Sequence, residues 1–342
     1  MKLIYIYLFI FILFAKNVFC QDAHLTQYFI APQMINPSAF GVINSFEAGF
    51  QYKSQWNAFT KGFTTYSAFV NKQIPNNRQD NRGFFSAGLH FGYDRSGDAR
   101  LTAVNGVLPV NYSLKLNDHQ FLTSGVSAGF FQRSISGVEQ TWGSQYDGLN
   151  YNASLPNENT GRQSMVKLDV GAGIALINKK TKRSFAANSE PSNTFGLSVA
   201  HINKPRYSFY RSNERLAMRF NVYESFNYCF NGSPYSISPS LMFQYQGKAT
   251  ETILGAMLHY KSGNESFITG VKKPSEYGFG VYYRYRDAFA INAFAEIKKI
   301  MFGISYDINT STLLKTSKGR GGLEVFIKIK NSNYLYKRFG KW

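Results

Sequence analysis

Leu323-Glu324-Val325-Phe326-Ile327-Lys328-Ile329-Lys330 carries the pattern on which the fold turns. Its odd positions are Leu, Val, Ile and Ile; its even positions are Glu, Phe, Lys and Lys. Just upstream, Phe302, Ile304, Tyr306 and Ile308 alternate with Gly303, Ser305 and Asp307. Successive side chains of a strand point to opposite faces, so this alternation marks strands whose two faces meet different solvents. Repeated along a long exported chain, it predicts an all-β fold, a transmembrane antiparallel β-barrel of an outer membrane. Leu323, Val325, Ile327 and Ile329 are then expected to face lipid, and Glu324, Lys328 and Lys330 the lumen.

The start of the chain fits export. Lys2 precedes an unbroken apolar run from Leu3 to Ala15. That run is shorter than the ~20 residues of a membrane-spanning helix. Residues 1–20 therefore read as a cleaved signal peptide, with Val18 and Cys20 at the small-residue positions before the cut. The rival reading is a lipoprotein acylated on Cys20, against which Phe19 is bulky where that cleavage wants a small residue. With residue 20 removed, Cys229 is the one cysteine left, so no internal disulfide and no cysteine-based metal site is expected.

Composition agrees. The chain has 31 Phe, 23 Tyr and 29 Gly against 10 Pro. Aromatics favour strands and gather in girdles at membrane interfaces. Mean hydropathy is slightly negative, as expected where every second residue faces a lumen. The formal charge is +18, or +16 without Lys2 and Lys16. Lumenal and loop Lys/Arg beside anionic outer-membrane lipid account for it more simply than a binding surface does. Nucleic acid is a poor partner for an exported chain with no basic module.

Strands are expected at 45–57, 60–73, 83–94, 102–115, 120–134, 165–178, 193–202, 216–230, 235–247, 251–260, 277–286, 288–298, 300–309 and 321–331, about fourteen in all, with 264–271 as a strand or part of a turn. The organisation is a signal peptide (1–20), a periplasmic or plug segment (21–44), the barrel (45–331) and a basic aromatic tail (332–342). An even strand count suits a chain with both termini in the periplasm. The connections 135–164, 203–215 and 310–320 then fall outside the cell, and 116–119, 179–192, 261–276 and 298–300 in the periplasm. In 216–230 the apolar face of Met218, Phe220, Val222, Phe226, Tyr228 and Phe230 is broken by Glu224. A lipid-facing charge is costly, so a bulge or a site near an interface is expected there ahead of a contact with another protein.

Motifs for catalysis are sparse. Gly125-Val126-Ser127-Ala128-Gly129 matches a nucleophile elbow, but that elbow needs a strand, a sharp turn and a helix. Here it lies inside an alternating strand and reads as small residues packed in a barrel wall. His24, His90, His119, His201 and His259 are scattered, none at metal-ligand spacing. No clustered acid/base pair and no phosphate loop is present. The expectation is no catalytic residue, no metal and no cofactor.

Several segments resemble, in order, the PorP/SprF family of type IX secretion system membrane proteins. They are Gln27-Tyr28, Asn36-Pro37 and Ser54-Gln55-Trp56; Gln132-Arg133-Ser134-Ile135 and Thr141-Trp142-Gly143; Asp169-Val170-Gly171-Ala172-Gly173; Gly196-Leu197-Ser198-Val199-Ala200-His201; Tyr283-Arg284-Tyr285-Arg286-Asp287-Ala288-Phe289; Tyr306-Asp307-Ile308-Asn309-Thr310-Ser311; and Gly319-Arg320-Gly321-Gly322-Leu323-Glu324. The resemblance implies an outer-membrane barrel of a Gram-negative bacterium, without enzymatic activity. It works with the other type IX components to export or retain large cargo proteins, often adhesins, that carry a C-terminal sorting domain. In some bacteria the system serves gliding motility. The tail departs from the family pattern, whose members stop soon after the last strand.

Two functions follow from different classes. One is a secretion accessory that binds cargo through Trp142, Tyr146 and Asp147 of the longest loop and through Asp307, Asn309 and Arg320 near the last hairpin. For Asp307, Asn309 and Arg320, Asx-type turns and a glycine hinge that shape the loop are the stronger explanation; for Trp142 the rival role is a girdle residue. The alternative is an outer-membrane channel or porin for small solutes.

Overall fold

The computed structural model describes residues 25–56, 62–74, 82–97, 100–135, 142–155, 163–179, 191–209, 213–230, 232–263, 275–311 and 314–332. The signal peptide, the tail beyond Ser332 and the segment 264–271 lie outside them.

Fourteen strands among these residues close into one antiparallel barrel. They are β1 (Asn44–Gln55), β2 (Phe63–Gln73), β3 (Gly83–Ser96), β4 (Leu101–Asn117), β5 (Gln120–Ile135), β6 (Gln163–Lys179), β7 (Ser192–Ala200), β8 (Arg219–Cys229), β9 (Tyr235–Gln246), β10 (Ala249–Ser262), β11 (Ser275–Arg284), β12 (Ala288–Ile297), β13 (Ile300–Asn309) and β14 (Arg320–Ser332). Each strand pairs with its sequence neighbour, and β14 closes on β1 from Asn44↔Ser332 to Gln55↔Gly322. Closure leaves no edge, which lets a sheet stand in lipid with its backbone paired. Asn44 and Ser332 define a lower end; the connections after odd-numbered strands define an upper end.

The alternation holds around the ring. In β14, Leu323, Ile327 and Ile329 are exposed on the outer face, while Glu324, Phe326 and Lys328 are buried inside. Outward aromatics pair across strands at both ends, Tyr235 with Tyr260 at the lower end and Tyr283 with Phe289 at the upper. Inward positions are polar where lipid-facing ones are not: Gln51, Asn71, Asn111, Asn221, Gln244 and Asn292 are all buried.

The lumen is filled by the chain's own residues 25–43. Tyr28, Ile30 and Ala31 pack against inward Phe69, Tyr223, Met242, Ile253 and Phe326. Lower down, Val42 packs with Phe84, Phe121 and Ile177. An irregular buried segment must have its carbonyls satisfied, and inward side chains do this. Gln51 donates to the Gln27 carbonyl (3.1 Å), Lys328 to Ile30 (3.2 Å), Arg219 to Met34 (3.2 Å), and Asn221 to Ile35 (3.0 Å). Asn111 spans the carbonyls of Pro37 (3.1 Å) and Phe40 (3.2 Å). Asn36 reverses the direction, donating to the strand carbonyls of Ile174 (2.9 Å) and Leu197 (3.2 Å). A cavity of about 220 Å³ remains between segment and wall, bordered by Tyr28, Phe40, Glu47, Ile177, Tyr223 and Lys328.

Three expectations change. β1 begins and β14 ends at the same lower end, as the even count requires, but Leu25 does not lie there. Thr26 reaches Asp307 near the upper end of β13, so the chain descends through the lumen before β1 starts. Glu224 sits in no bulge: β7–β8 pairing runs unbroken from Ser192↔Asn227 to Ala200↔Arg219, and Glu224 is opposite Phe195. It is at the centre of β8, on the outer face. β8 also starts later than expected, at Arg219, because β7 stops at Ala200 and His201 turns into the left-handed region with φ +58°.

Cysteine labelling tests this arrangement. Val325→Cys, facing lipid, is expected to resist a membrane-impermeant maleimide with or without residues 25–43. Lys328→Cys is expected to resist it in the full chain and to react once those residues are deleted. Labelling of Val325→Cys in the full chain would overturn the assigned faces.

Candidate partner-binding site

Two groups of residues stand at the upper end. The first is the connection after β5. A single helical turn, Gly143–Gln145, follows Trp142, whose backbone N–H donates to Gln145 Oε1 at 3.0 Å. Trp142 is half-buried and Gln145 buried. Beyond it Tyr146 and Tyr151 bridge the two arms of a tight turn, their rings edge-on at 5.8 Å. Asp147 builds the turn. Its Oδ1 accepts from the backbone N–H groups of Leu149 (3.0 Å) and Asn150 (2.8 Å), an Asx-type arrangement. Those two donors hold its carboxyl below the usual carboxylate range. Gly148 adopts φ +102°, a conformation that side chains disfavour. At the tip Leu149 is 91% exposed, and Tyr146 and Tyr151 are exposed beside it.

The second group lies inside the barrel mouth. Asp307 and Asn309 are fully buried, whereas Arg320 is exposed. Asn309 donates to the Arg320 carbonyl at 3.3 Å, so it shapes the last hairpin. Asp307 belongs to an ionic cluster with Lys53, Arg284 and Glu324. Lys53 Nζ lies 2.9 Å from Glu324 Oε1 and 3.6 Å from Asp307 Oδ2. Arg284 Nη2 lies 3.2 Å from Asp307 Oδ2, and its Nε donates to Asp287. The N-terminal segment is tied into this cluster. Glu324 accepts the backbone N–H groups of Thr26 (2.8 Å) and Gln27 (3.0 Å). The Thr26 hydroxyl accepts from Arg284 (2.9 Å) and donates to Asp307 (3.0 Å). The cluster is a latch that fastens residues 25–27 at the upper end.

The six residues singled out in the sequence thus divide. Tyr146 and Asp147 belong to an exposed structured turn, which half-buried Trp142 precedes. Asp307 and Asn309 face their own chain, and Arg320 stands exposed at the rim. Nothing in the sequence marks Lys53, Arg284, Glu324 and Thr26 as a group. Their inward parity was readable, and Arg284 and Asp287 stand in the quoted Tyr283–Phe289 run. That they converge is a product of strand register.

The nucleophile-like motif also resolves. Gly125 points into the lumen, where an added Cβ would lie 2.7 Å from the Pro37 carbonyl carbon. It is glycine because the lumenal segment crosses there. Ser127 faces Gly171, at which an added Cβ would lie 2.7 Å from the Ser127 hydroxyl oxygen. This is packing between strands. Ser127→Ala is accordingly expected to leave secretion of cargo unchanged; loss of secretion by a folded, inserted variant would reassign Ser127.

A family model described as type IX secretion system membrane protein PorP/SprF matches residues 17–328. The chain belongs to this family. It is an outer-membrane β-barrel component of the type IX secretion system. No curated protein matches it. Among solved structures it is similar to the toluene transporter TbuX of Ralstonia pickettii (10% identity, 89% of this chain and 94% of that one, TM-score 0.47). It is also similar to CdiB from Acinetobacter baumannii (10% identity, 84% and 60%, TM-score 0.43). A third is the translocator domain of the autotransporter NalP from Neisseria meningitidis (9% identity, 90% and 96%, TM-score 0.35). Gln27, Asn36-Pro37, Arg284 and Asp307, within the resembling motifs, all belong to the lumenal segment or its contacts.

Proposed function

We propose that this PorP/SprF-family barrel is a non-enzymatic accessory that holds a secreted, adhesin-like cargo by its C-terminal sorting domain, during or after export. The observation that carries the reading is the 146–151 turn. Leu149 is presented to solvent on a turn braced by Asp147 and by the Tyr146–Tyr151 pair. A rigid apolar tip flanked by aromatics forms contacts at low entropic cost, as binding anchors do. The occupied lumen supports contact at the upper surface in preference to a solute path through the barrel. Cargo and the other type IX components are the partners in this reading.

The test is co-purification of a cargo's C-terminal domain with the wild-type chain and with a variant in which 138–160 is shortened to a flexible link. Loops exchange without unfolding their scaffold, so the variant is expected to insert normally and to lose cargo. Leu149→Asp alone is expected to weaken binding roughly fivefold or more, the loss of one interface anchor. Undiminished binding in both variants would remove this turn from the mechanism. In cells, deleting the protein is expected to impair display of one or a few cargoes while other type IX export continues.

A further inference from the structure

The outward face of this barrel carries one charged side chain away from the strand ends among the described residues, Glu224. The other outward charges, Lys72, Arg95 and Arg320, stand at or near the ends of β2, β3 and β14. Glu224 is five residues from either end of β8. Across the ladders it faces Phe195 and Leu241, and along its strand Val222 and Phe226. All four of these neighbours are exposed apolar residues on the lipid side. Among the described residues Glu224 makes no hydrogen bond and no ion pair.

A second irregularity lies beside it. β8–β9 pairing runs from Arg219↔Gln246 to Ser225↔Ser240 and resumes at Tyr228↔Ile237. The register is unchanged, and at Asn227 the Ser238 hydroxyl donates to the Asn227 side chain across the gap (3.3 Å). Opposite Phe226 stands Pro239, outward-facing and without an amide hydrogen to give. A ladder hydrogen bond that Pro239 cannot give to Phe226 and an unpaired carboxylate are both costly in hydrocarbon. They occur two residues apart on one seam of an otherwise apolar wall.

We infer that the outer wall of β7, β8 and β9 is an interface within the bilayer, and that its occupant is a different membrane-embedded protein presenting an arginine or lysine to Glu224. The sign of the charge selects the partner. A second copy of this chain related by a two-fold axis near Glu224 would bring two carboxylates together, which is unfavourable. The amine of a lipid headgroup stays at the interface and does not reach the centre of β8. A guanidinium or ammonium held on a partner's transmembrane surface does, and it can satisfy the carboxylate in place.

The experiment places a photo-crosslinking residue at 222 or 226, with 304 on β13 as the distant control, in the full chain in its own outer membrane. The expected result is a protein adduct from 222 and 226 and none from 304. The adduct peptide should contain a membrane-facing Arg or Lys. Adding Glu224→Arg should cut its yield at least about tenfold. Glu224→Gln, milder for insertion, should cut it less. Exchanging the partner's cation for Glu should restore the yield with Glu224→Arg. In the purified protein refolded alone in phosphatidylcholine vesicles, Glu224→Leu should raise the unfolding temperature, since no partner is there to lose. Adducts to lipid alone, adducts of twice this chain's mass, or a yield indifferent to Glu224→Arg would each overturn the inference.

Discussion

Deleting residues 25–43 is expected to convert an electrically silent barrel into a steadily conducting pore in a planar bilayer. Fourteen strands enclose a lumen that side chains of the wall alone do not fill. Here the filling comes from Tyr28, Ile30, Ala31 and Val42, with six backbone carbonyls caught by inward Gln, Lys, Arg and Asn. Removing the segment removes all of these contacts at once and leaves a polar wall that water can enter. The ladder itself is untouched, so the barrel is expected to insert. Gly125→Leu is a milder route to the same state, because its side chain would occupy the path of Pro37 and Ser38. Silence of the deletion variant, with insertion confirmed, would show that something other than residues 25–43 closes the lumen.

Breaking the latch is expected to be the most costly single substitution. Arg284→Leu leaves Asp307 and Asp287 without their guanidinium and Thr26 without its donor. Loss of one partner from a buried charge pair costs on the order of 3–5 kcal/mol, most of it the penalty of the charge left behind. Urea unfolding of the purified barrel in vesicles measures this. The double variant Arg284→Leu with Asp307→Leu is expected to recover part of the loss, since it removes both charges; the difference is the coupling energy. If the latch also holds the lumenal segment, Arg284→Leu should show brief openings in the bilayer that the wild type lacks. A stability change under about 1 kcal/mol would place the cluster with weak, solvated ion pairs.

Much of this molecule is legible before any coordinate is known. The two-residue period of 323–330 assigns each side chain to lipid or lumen, because a strand has only two faces and a membrane makes them unequal. The same rule recovers fourteen strands, and the run of Gly, Asp and Asn around 146–159 marks a long connection. The sequence places Trp142, Tyr146 and Asp147 in a loop, and the Asx turn is a local property of Asp147 and the residues just after it. What stays hidden is whatever joins distant positions. Nothing local says that Thr26 meets Asp307 and Arg284, 281 and 258 residues away. Those contacts exist because strand register brings Lys53, Arg284, Asp307 and Glu324 to one mouth, and because Thr26 and Gln27 lie at that mouth. Gly125 is a glycine for a reason that lies in another segment, Pro37. Glu224 is the clearest case. Its sequence neighbours admit a bulge, a shallow position or an interface, and only the unbroken β7–β8 register puts it in the middle of the lipid face. Periodicity is written one residue at a time, so the chain states it openly; closure, register and the path through the lumen are properties of the whole ring, and appear only once it is closed.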